Sequence, residues 1–308
     1  MHLTRRFVLG RAAALLPAAL LPLAPVRGWA VTTLTAGDLR IDSVSDGVLK
    51  LPPDLAYAPI PEGERAALLA RFSVDPAAPA RSPLNVTLLR QAGRTVLFDV
   101  GSGPDFVPTA GTLPEALAAA GVAPEDVTHA VFTHGHPDHL WGLLDDFDEP
   151  LFPNAALAMG RIEHDYWMDP QTASTIGEQR QSFAAGALRR LEAVGDRMAR
   201  FEDGAEVVPG VRAILTPGHT PGHMSFAVGT PAEGIFVTGD VVTTQWGFAR
   251  PEIGSGTDHD PAQAAATRRA VLARLADEGW PIIGYHLPDG GIGRVARDGE
   301  GFAFRPGA

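Results

Sequence analysis

The chain of 308 residues contains no cysteine, and its acidic side chains outnumber the basic ones by 36 to 25. Disulfide frameworks, thiolate metal ligands and cysteine nucleophiles are therefore excluded. An acidic chain whose only lysine is Lys50 lacks the clustered cations that binding to a phosphate backbone requires, so we expect no nucleic-acid partner.

Residues 1–30 have the layout of an export signal. Arg5 and Arg6 precede an apolar run rich in alanine and leucine, and Ala30 is a small residue of the kind found at cleavage sites. The apolar run contains two prolines and is shorter than the roughly 20 residues needed to span a bilayer. We predict a twin-arginine-type signal peptide, a mature domain over 31–308, and a periplasmic or secreted protein without a stable membrane anchor.

Short β-rich runs alternate with helical segments along the mature chain. The proline-rich stretch 74–83 is predicted to be a loop that precedes the first clear strand. Strands are predicted at 94–101, 129–133, 211–218, 234–240 and 281–285. Helices are predicted at 112–120, 181–200 and 260–279. Strands that alternate with helices in this way indicate an α/β protein.

Capping residues mark two of these helices. Thr112 and Glu115 stand at capping-box spacing. Asp260 is an N-cap residue, Pro261 suits the first helical position, and Gly279 is typical of a helix end.

Residue types that bind metals follow four of the predicted strands. The run H-x-H-x-D-H over 134–139 follows "AVFT", His219 follows "AILTPG", Asp240 follows "IFVTG" and His286 follows "PIIGY". If these strands share one sheet edge, four distant segments bring imidazole and carboxylate groups to one place. The pattern predicts a metal site there.

The spacing inside the first run suggests more than one ion. In an extended loop alternate side chains point the same way, so His134, His136 and Asp138 can face one side while His139 serves a second ion. A polar surface loop is the alternative, but the repeated placement of ligands after strands argues against it. We expect two divalent metal ions, zinc in the first place, with iron, cobalt or manganese also compatible.

The motifs "THGHPDH", "TPGHTPGH", "TGD" and "GYHLP" resemble those of the metallo-β-lactamase-fold hydrolases, from about residue 40 to the end of the chain. The resemblance implies a single-domain, four-layer αββα sandwich with a dinuclear metal site at one sheet edge. Seven side chains would then be ligands: His134, His136 and His219 of one ion, Asp138, His139 and His286 of the other, and Asp240 of both.

The same resemblance implies a mechanism. Water between two ions about 3.5 to 4 Å apart loses a proton near neutral pH and attacks the substrate, whose carbonyl or phosphoryl oxygen is polarised by one ion. Asp138 would orient this nucleophile and later pass a proton to the leaving group. We therefore expect a metal-assisted hydrolase.

Other polar residues are expected to have lesser roles. Asp99, in "LFDVG", matches a family aspartate that supports the metal site, and a simple turn residue is the alternative. His223 is expected to support the site or its loop without binding a metal ion. His129, His164 and His259 are expected to be ordinary surface or capping histidines.

Six aromatic side chains lie in predicted loops near the ligands: Phe106, Trp141, Tyr166, Trp167, Trp246 and Phe248. They are expected to line an apolar pocket for the acyl or aryl group of a small-molecule substrate. Packing in the core or in an interface is the alternative, and an exposed apolar rim would fit a homodimer. Trp141 departs from the family pattern, in which two glycines usually follow the histidine motif.

The run "PTAGTLPEALAAAGVAPEDVTHAVFTHGHPDH" resembles methyl-parathion-hydrolase-like phosphotriesterases and the related acyl-homoserine-lactone lactonases. The resemblance implies a lactone, ester or phosphotriester substrate. A β-lactamase and a thioester hydrolase like glyoxalase II are alternatives, although the former generally lacks the bridging aspartate and the latter needs basic residues that we do not find. A metal-binding interaction protein on the same fold is the non-enzymatic alternative, and the complete set of seven ligands favours the enzyme.

Overall fold

The computed structural model describes residues 32–307, so the predicted signal peptide lies outside the described residues. The strands are β1 (Thr32–Ala36), β2 (Leu39–Leu51), β3 (Ala80–Gln91), β4 (Arg94–Phe98), β5 (His129–Phe132), β6 (Ala156–Gly160), β7 (Met198–Phe201), β8 (Glu206–Val208), β9 (Val211–Leu215), β10 (Met224–Gly229), β11 (Gly234–Val237), β12 (Pro281–Ile283), β13 (Ile292–Asp298) and β14 (Gly301–Pro306). The helices are α1 (Pro53–Ala56), α2 (Glu62–Arg71), α3 (Leu113–Ala119), α4 (Pro137–Leu140), α5 (Arg161–Met168), α6 (Thr172–Thr175), α7 (Gln181–Val194), α8 (Gln245–Ala249) and α9 (Pro261–Glu278). Within 32–307, none of the helices has the length and apolar character of a membrane span.

The strands form two sheets of seven. The first sheet runs β1-β2-β3-β4-β5-β6-β7, antiparallel as far as β4 and parallel from β4 to β7. The second runs β14-β13-β12-β11-β10-β9-β8, and its one parallel pair is β11 with β12. Each sheet thus contains neighbouring strands whose carboxyl ends lie at the same edge.

Alternating side chains on the strands build three apolar layers. On β5, Val131 points into the core between the sheets, while Ala130 and Phe132 pack under the helices outside the first sheet. On β12, Ile283 points between the sheets and Ile282 packs under α9. Because β5 and β12 are buried on both faces, their sequences are almost entirely apolar. The predicted αββα sandwich is confirmed.

The third predicted helix agrees with the structure. The Asp260 side chain accepts a hydrogen bond from the backbone N–H of Gln263 at 2.9 Å, and Gly279 ends α9 in the left-handed conformation. In the first predicted helix, Thr112 is the N-cap residue of α3, but its side chain accepts no capping hydrogen bond from a backbone N–H of residues 32–307.

The predicted helix 181–200 is too long. It ends at Val194, because Gly195 has a positive φ of 48° and turns the chain. The following residues form β7, where Met198 pairs with Leu157 of β6. The helical pattern at its end is overridden by strand pairing with a neighbour about 40 residues away in the sequence.

The start of the chain also differs from expectation. Two strands, β1 and β2, precede the proline-rich stretch, and its last four residues begin β3. β2 contains buried polar residues that interrupt an apolar pattern, and Asp42 is one of them. Its partner Arg40 lies two residues away on β2 itself, but its partner Arg90 belongs to β3 and meets it only when the two strands pair. A prediction from the pattern of apolar residues therefore misses β2.

Candidate metal centre

The predicted ligand segments meet at one edge of the sandwich, just beyond β5 of the first sheet and β9, β11 and β12 of the second. All seven predicted ligands are buried there: His134, His136, Asp138, His139, His219, Asp240 and His286. The cluster therefore spans the seam between the two sheets.

Three imidazoles form the first part of the cluster. Nδ1 of His136 lies 3.1 Å from Nε2 of His134 and 2.9 Å from Nε2 of His219. Nδ1 of His136 is thus at hydrogen-bond distance from two other imidazole nitrogens, although a neutral imidazole can donate from only one nitrogen. The arrangement is suited to a cation between them. We name it the first position.

The second part combines a carboxylate with two imidazoles. Oδ2 of Asp138 lies 3.3 Å from Nε2 of His286 and 3.6 Å from Nε2 of His139. We name this group the second position. Asp240 lies between the two groups, with Oδ2 3.1 Å from Nε2 of His286 and 3.4 Å from Nε2 of His219.

The hydrogen bonds of the cluster are incomplete without a cation. Nε2 of His139 and Oδ1 of Asp240 are buried and, among residues 32–307, have no hydrogen-bond partner. A buried polar atom without a partner costs about 1–3 kcal/mol, so such atoms are seldom left unused. Imidazole nitrogens and carboxylate oxygens are the donors that zinc and related ions prefer. The residues therefore fit divalent metal ions.

The pKa values of the histidines in the cluster also fit metal binding. Burial, reinforced by neighbouring imidazoles, holds the pKa of His134 and of His136 well below the usual value, so both rings are neutral and available as ligands. Burial also opposes the charged form of His139, but the carboxylates of Asp240, Asp138 and Asp99 outweigh it and raise the pKa of His139 well above 6.5. The buried carboxylates are thus stabilised by nearby positive charge, which metal ions would supply in place of protons.

Each ligand ring is also held from its other nitrogen. The partners of four rings are oxygen atoms: Oγ1 of Thr133 for Nδ1 of His134 at 2.9 Å, Oδ2 of Asp99 for Nδ1 of His139 at 2.8 Å, Oδ1 of Asp258 for Nδ1 of His219 at 2.8 Å, and the carbonyl oxygen of Pro83 for Nδ1 of His286 at 2.9 Å. Such contacts orient a ligand and select its tautomer. The structure places Asp99 beside the ligand His139 and also in a turn, with a φ of 65°.

Sequence analysis did not find Asp258. Its carboxylate joins His219 to Arg268 of α9, whose Nη2 lies 3.0 Å from Oδ2 of Asp258. In the sequence, Asp258 is an aspartate two residues before the helix cap Asp260. Acidic residues are common just before helices, so nothing in this segment indicates a role beside a metal ligand.

Glu163 is a second residue that the sequence did not reveal. This buried carboxylate on α5 accepts hydrogen bonds from the backbone N–H groups of Gly135 and Gly222, both at 2.9 Å. It also accepts from Oγ1 of Thr220 and from Nε1 of Trp167. Glu163 therefore fastens the two histidine-bearing loops to each other.

His223 lies beside the cluster rather than in it. Its Nε2 accepts a hydrogen bond from the backbone N–H of Asp240 at 2.9 Å, and its Nδ1 lies 2.8 Å from Oγ1 of Thr216. Burial is the main reason that the pKa of His223 falls to about 3, so the ring stays neutral. The ring needs Gly239 beside it, where a Cβ would come within 2.6 Å of Nε2.

The expectation for His259 was wrong. Its ring is largely enclosed, and its Nε2 lies 3.1 Å from Nε2 of His136. Burial, with His219 and Arg180 nearby, lowers the pKa of His259 to about 3. His129 contacts Oγ1 of Thr128, and His164 contacts Asp165, both away from the cluster.

A cavity of about 380 Å³ opens onto the cluster. The ligands that line it are His136, Asp138, Asp240 and His286. Its apolar wall comes mainly from the segment that precedes β3 and from facing aromatic rings: Leu49, Leu51, Leu55, Val74, Phe106, Phe183 and Trp246. The cavity is suited to a ligand with a large apolar part and a polar group directed at the cluster.

Only part of the predicted aromatic pocket is found. Phe106 and Trp246 line the cavity, but Trp141, Trp167 and Phe248 pack elsewhere. The indole of Trp141 lies beneath α7, against Gly186 and 4.5 Å from the guanidinium carbon of Arg190. Trp141 is therefore a packing residue that anchors α7.

The other two rings are also used in packing. Trp167 donates from Nε1 to Oε1 of Glu163 at 2.6 Å and fills the space left by Gly135. Phe248 lies in the core under α9, with its ring centroid 5.7 Å from that of Phe304. Tyr166 packs against the ring of His259.

Known structures share this architecture. AidC, a dizinc quorum-quenching lactonase in complex with a product, N-hexnoyl-L-homoserine, superposes with a TM-score of 0.83 and 24% identity over 90% of this chain and 97% of its own. The hydrolase AbOPH, of the β-lactamase superfamily, gives a TM-score of 0.83 and 30% identity over the same shares of the two chains.

Sequence comparisons agree with the structural ones. The N-acyl homoserine lactonase AttM of Azorhizobium caulinodans is 33% identical over 121 residues, which are 38% of this chain and 42% of AttM. The chain thus matches less than half of the length of this relative. The family model for the metallo-beta-lactamase superfamily matches residues 80–286, a range that begins with β3 and ends at His286 of the cluster. The chain belongs to the metallo-β-lactamase superfamily.

Proposed function

We propose that the protein is a hydrolase with two divalent metal ions, zinc in the first place, that cleaves a lactone, ester or phosphotriester of a small, largely apolar substrate. The observation that carries the proposal is the complete set of seven buried ligands, with Asp240 between two groups of three, at the floor of an apolar cavity. The relatives named above support the choice of reaction, since AidC and AttM are lactonases and AbOPH is a hydrolase.

The two groups of ligands divide the task of metal binding. His134, His136 and His219 would hold one ion, Asp138, His139 and His286 the other, and Asp240 would contact both. Two divalent ions in such a site supply Lewis-acid activation of water and of a carbonyl or phosphoryl oxygen. Everything else is performed by the protein side chains around them.

Asp138 is the residue that we assign to proton transfer. Its carboxylate lines the cavity, where a substrate and a water molecule would meet the cluster. There it can accept a proton from the attacking water and return it to the leaving oxygen. Tyr285 donates a hydrogen bond to the backbone oxygen of Asp138 at 2.6 Å, and burial raises the pKa of Tyr285 well above its usual value, so the donor keeps its proton.

The cavity wall selects and orients the substrate. Leu49, Leu51 and Val74 on one side and Trp246 on another surround the space above the ligands with hydrocarbon. An acyl chain or an aryl group would bury apolar surface here at about 25 cal/mol per Å². The same surfaces exclude water from around the reacting group.

The test is to compare kcat/KM for a long-chain acyl lactone and for an aryl phosphotriester under identical conditions, with and without a chelator. We expect turnover that the chelator abolishes and that added zinc restores. A higher kcat/KM for the lactone would identify a lactonase, and the reverse would identify a phosphotriesterase. Two bound metal ions without turnover of lactones, esters or phosphotriesters would refute the hydrolase proposal and favour a metal-binding protein.

A further inference from the structure

His136 differs from the other four ligand histidines in how its ring is held. Those four have an oxygen atom behind the nitrogen that faces away from the cluster. Behind His136 there is instead a second imidazole, with Nε2 of His259 3.1 Å from Nε2 of His136. His259 is not one of the seven predicted ligands, and sequence analysis assigned it to the surface.

The orientation of His136 defines what His259 can do. Nδ1 of His136 faces His134 and His219, so Nε2 is on the far side of the ring. A neutral imidazole that binds a metal through Nδ1 carries its hydrogen on Nε2 and needs an acceptor there. Nε2 of His259 is the atom at that point. It is on the opposite side of the His136 ring from the first position, so His259 is a support and not a ligand.

His259 is itself held firmly. The rings of Tyr166 and Trp167 pack against it, with centroid distances of 5.5 and 5.9 Å. Its backbone N–H donates to the carbonyl oxygen of His219 at 3.0 Å. The two aromatic rings limit rotation of the His259 ring, and the backbone bond ties residue 259 to the His219 loop.

The residues on either side of His259 complete a brace. Asp258 accepts from Nδ1 of His219, and Asp260 donates its backbone N–H to the carbonyl oxygen of Gly218 at 2.9 Å while its side chain caps α9. One tripeptide, 258–260, therefore supports two of the three histidines of the first position and joins them to the start of α9.

We propose that His259 is a positioning residue for the first position, accepting a hydrogen bond from Nε2–H of His136, and that with Asp258 it sets the metal affinity of this position. The proposal rests on the proposed function only in requiring that the cluster binds metal ions. Removing the acceptor should weaken the first position and leave the second, with its own supports Asp99 and Pro83, nearly unchanged.

The test compares His259→Phe, which keeps a flat ring but no acceptor, with His259→Gln, whose amide oxygen can reach His136. The matched control is His164→Phe, since among residues 32–307 the hydrogen-bond partner of the His164 ring is Asp165, away from the cluster. Each metal-free protein is titrated with cobalt(II), and the visible absorption and the bound metal per chain are measured. For His259→Phe we expect one of the two affinities to fall by about 10- to 100-fold. For His259→Gln and His164→Phe we expect both affinities within about threefold of the original.

Kinetics and stability separate a positioning role from a merely structural one. At subsaturating metal, His259→Phe should lose kcat with little change in KM, and excess metal should restore it. Should the phenyl ring prevent folding, His259→Asn, which is too short to reach His136, replaces it and should show the same loss. Unchanged titration of both ions by a folded variant without the acceptor would overturn the role of His259. Failure of the original protein to bind cobalt(II) would overturn the metal centre itself.

Discussion

Each ligand histidine presents one nitrogen to the cluster and has the opposite nitrogen fixed by a neighbour. The neighbours are a hydroxyl, two carboxylates, a backbone carbonyl and, for His136, the imidazole of His259. The ring orientations are therefore set by the protein. We therefore expect little reorganisation of these side chains when metal ions bind.

Asp138 provides a prediction at the level of one atom. Asp138→Asn keeps an oxygen for metal binding but removes the group that takes up a proton. We expect kcat to fall by about 100- to 10,000-fold while the fold and the bound metal are retained. Steady-state kinetics and elemental analysis of the same samples measure this. Asp196→Asn, at an exposed acid, is the control, and kcat within a few-fold of the original in Asp138→Asn would remove Asp138 from proton transfer.

His223 provides a prediction about pH. Burial disfavours the charged ring and lowers the pKa of His223 from its usual 6.5 to about 3 in the folded protein. When the pKa of a histidine is lower in the folded protein than in the unfolded chain, the fold is most stable at a pH above the pKa of the unfolded chain. This stability is lost as pH falls from about 6.5 towards 3. At pH 5 the loss is about 2 kcal/mol of unfolding free energy.

The measurement is urea unfolding of the metal-free protein and of His223→Gln at pH 7 and pH 5. Glutamine can still accept from the backbone of Asp240 but does not titrate. Asp46, whose pKa is raised to about 6 by burial, acts in the opposite direction, and the comparison of the two proteins cancels it. We expect the original protein to lose about 2 kcal/mol more than the variant. Equal losses would show that His223 is charged in the fold.

At the scale of elements, three large rings fit closely against neighbouring segments because a glycine leaves room for each. Trp141 lies against Gly186 of α7, Trp167 against Gly135, and His223 against Gly239. These contacts set how closely α7 and the ligand loops approach. The glycines in the histidine motifs thus have a packing reason besides any conformational one.

Gly186 tests this packing. Gly186→Ala places a Cβ inside the indole of Trp141, so we expect α7 to shift and the free energy of unfolding to fall by about 1–3 kcal/mol. Gly63→Ala in α2 is the matched control, since nothing lies within 4 Å of its added Cβ. There alanine should be neutral or stabilising by up to about 1 kcal/mol. Chemical denaturation measures both, and a neutral Gly186→Ala would show that α7 is not seated on Trp141.

At the scale of the whole molecule, the ligands join the two sheets. His134 to His139 follow β5 of the first sheet, while His219, Asp240 and His286 follow strands of the second. In the proposed metal centre, an ion held by ligands from both sheets would link the sheets across the seam. Binding to the folded state alone stabilises a protein according to the ratio of free metal to Kd.

Removal of metal should therefore lower stability as well as activity. With free zinc about 1,000 times above Kd, we expect chelation to reduce the free energy of unfolding by about 4 kcal/mol. Thermal or urea unfolding with and without chelator measures the loss, and excess zinc added after the chelator should reverse it. Identical unfolding curves would mean that the ions do not bind across the seam.

The location of the protein stays a prediction. A twin-arginine-type signal over 1–30 would deliver a folded, metal-loaded enzyme to the periplasm or the medium. N-terminal sequencing of the protein from fractionated cells tests it. A full-length protein found in the cytoplasmic fraction alone would contradict it.

Local patterns were enough for the sequence to predict the fold class and the seven side chains that meet in the cluster. The strands after which His134, His219, Asp240 and His286 stand are short apolar runs, and such runs report burial directly. The helix cap at Asp260 likewise depends only on residues next to it in the sequence. In both cases the interaction that matters lies within a few residues of the chain.

Only the tertiary structure decided which side chains support those ligands. His259 and His136 are 123 residues apart, and Glu163 reaches loops 28 and 59 residues away. Trp141 could not be placed from its own segment either, because its site is made by Gly186 on another helix. A buried polar group or a large ring takes its role from the partners that surround it, and those partners come together only when the two sheets pack.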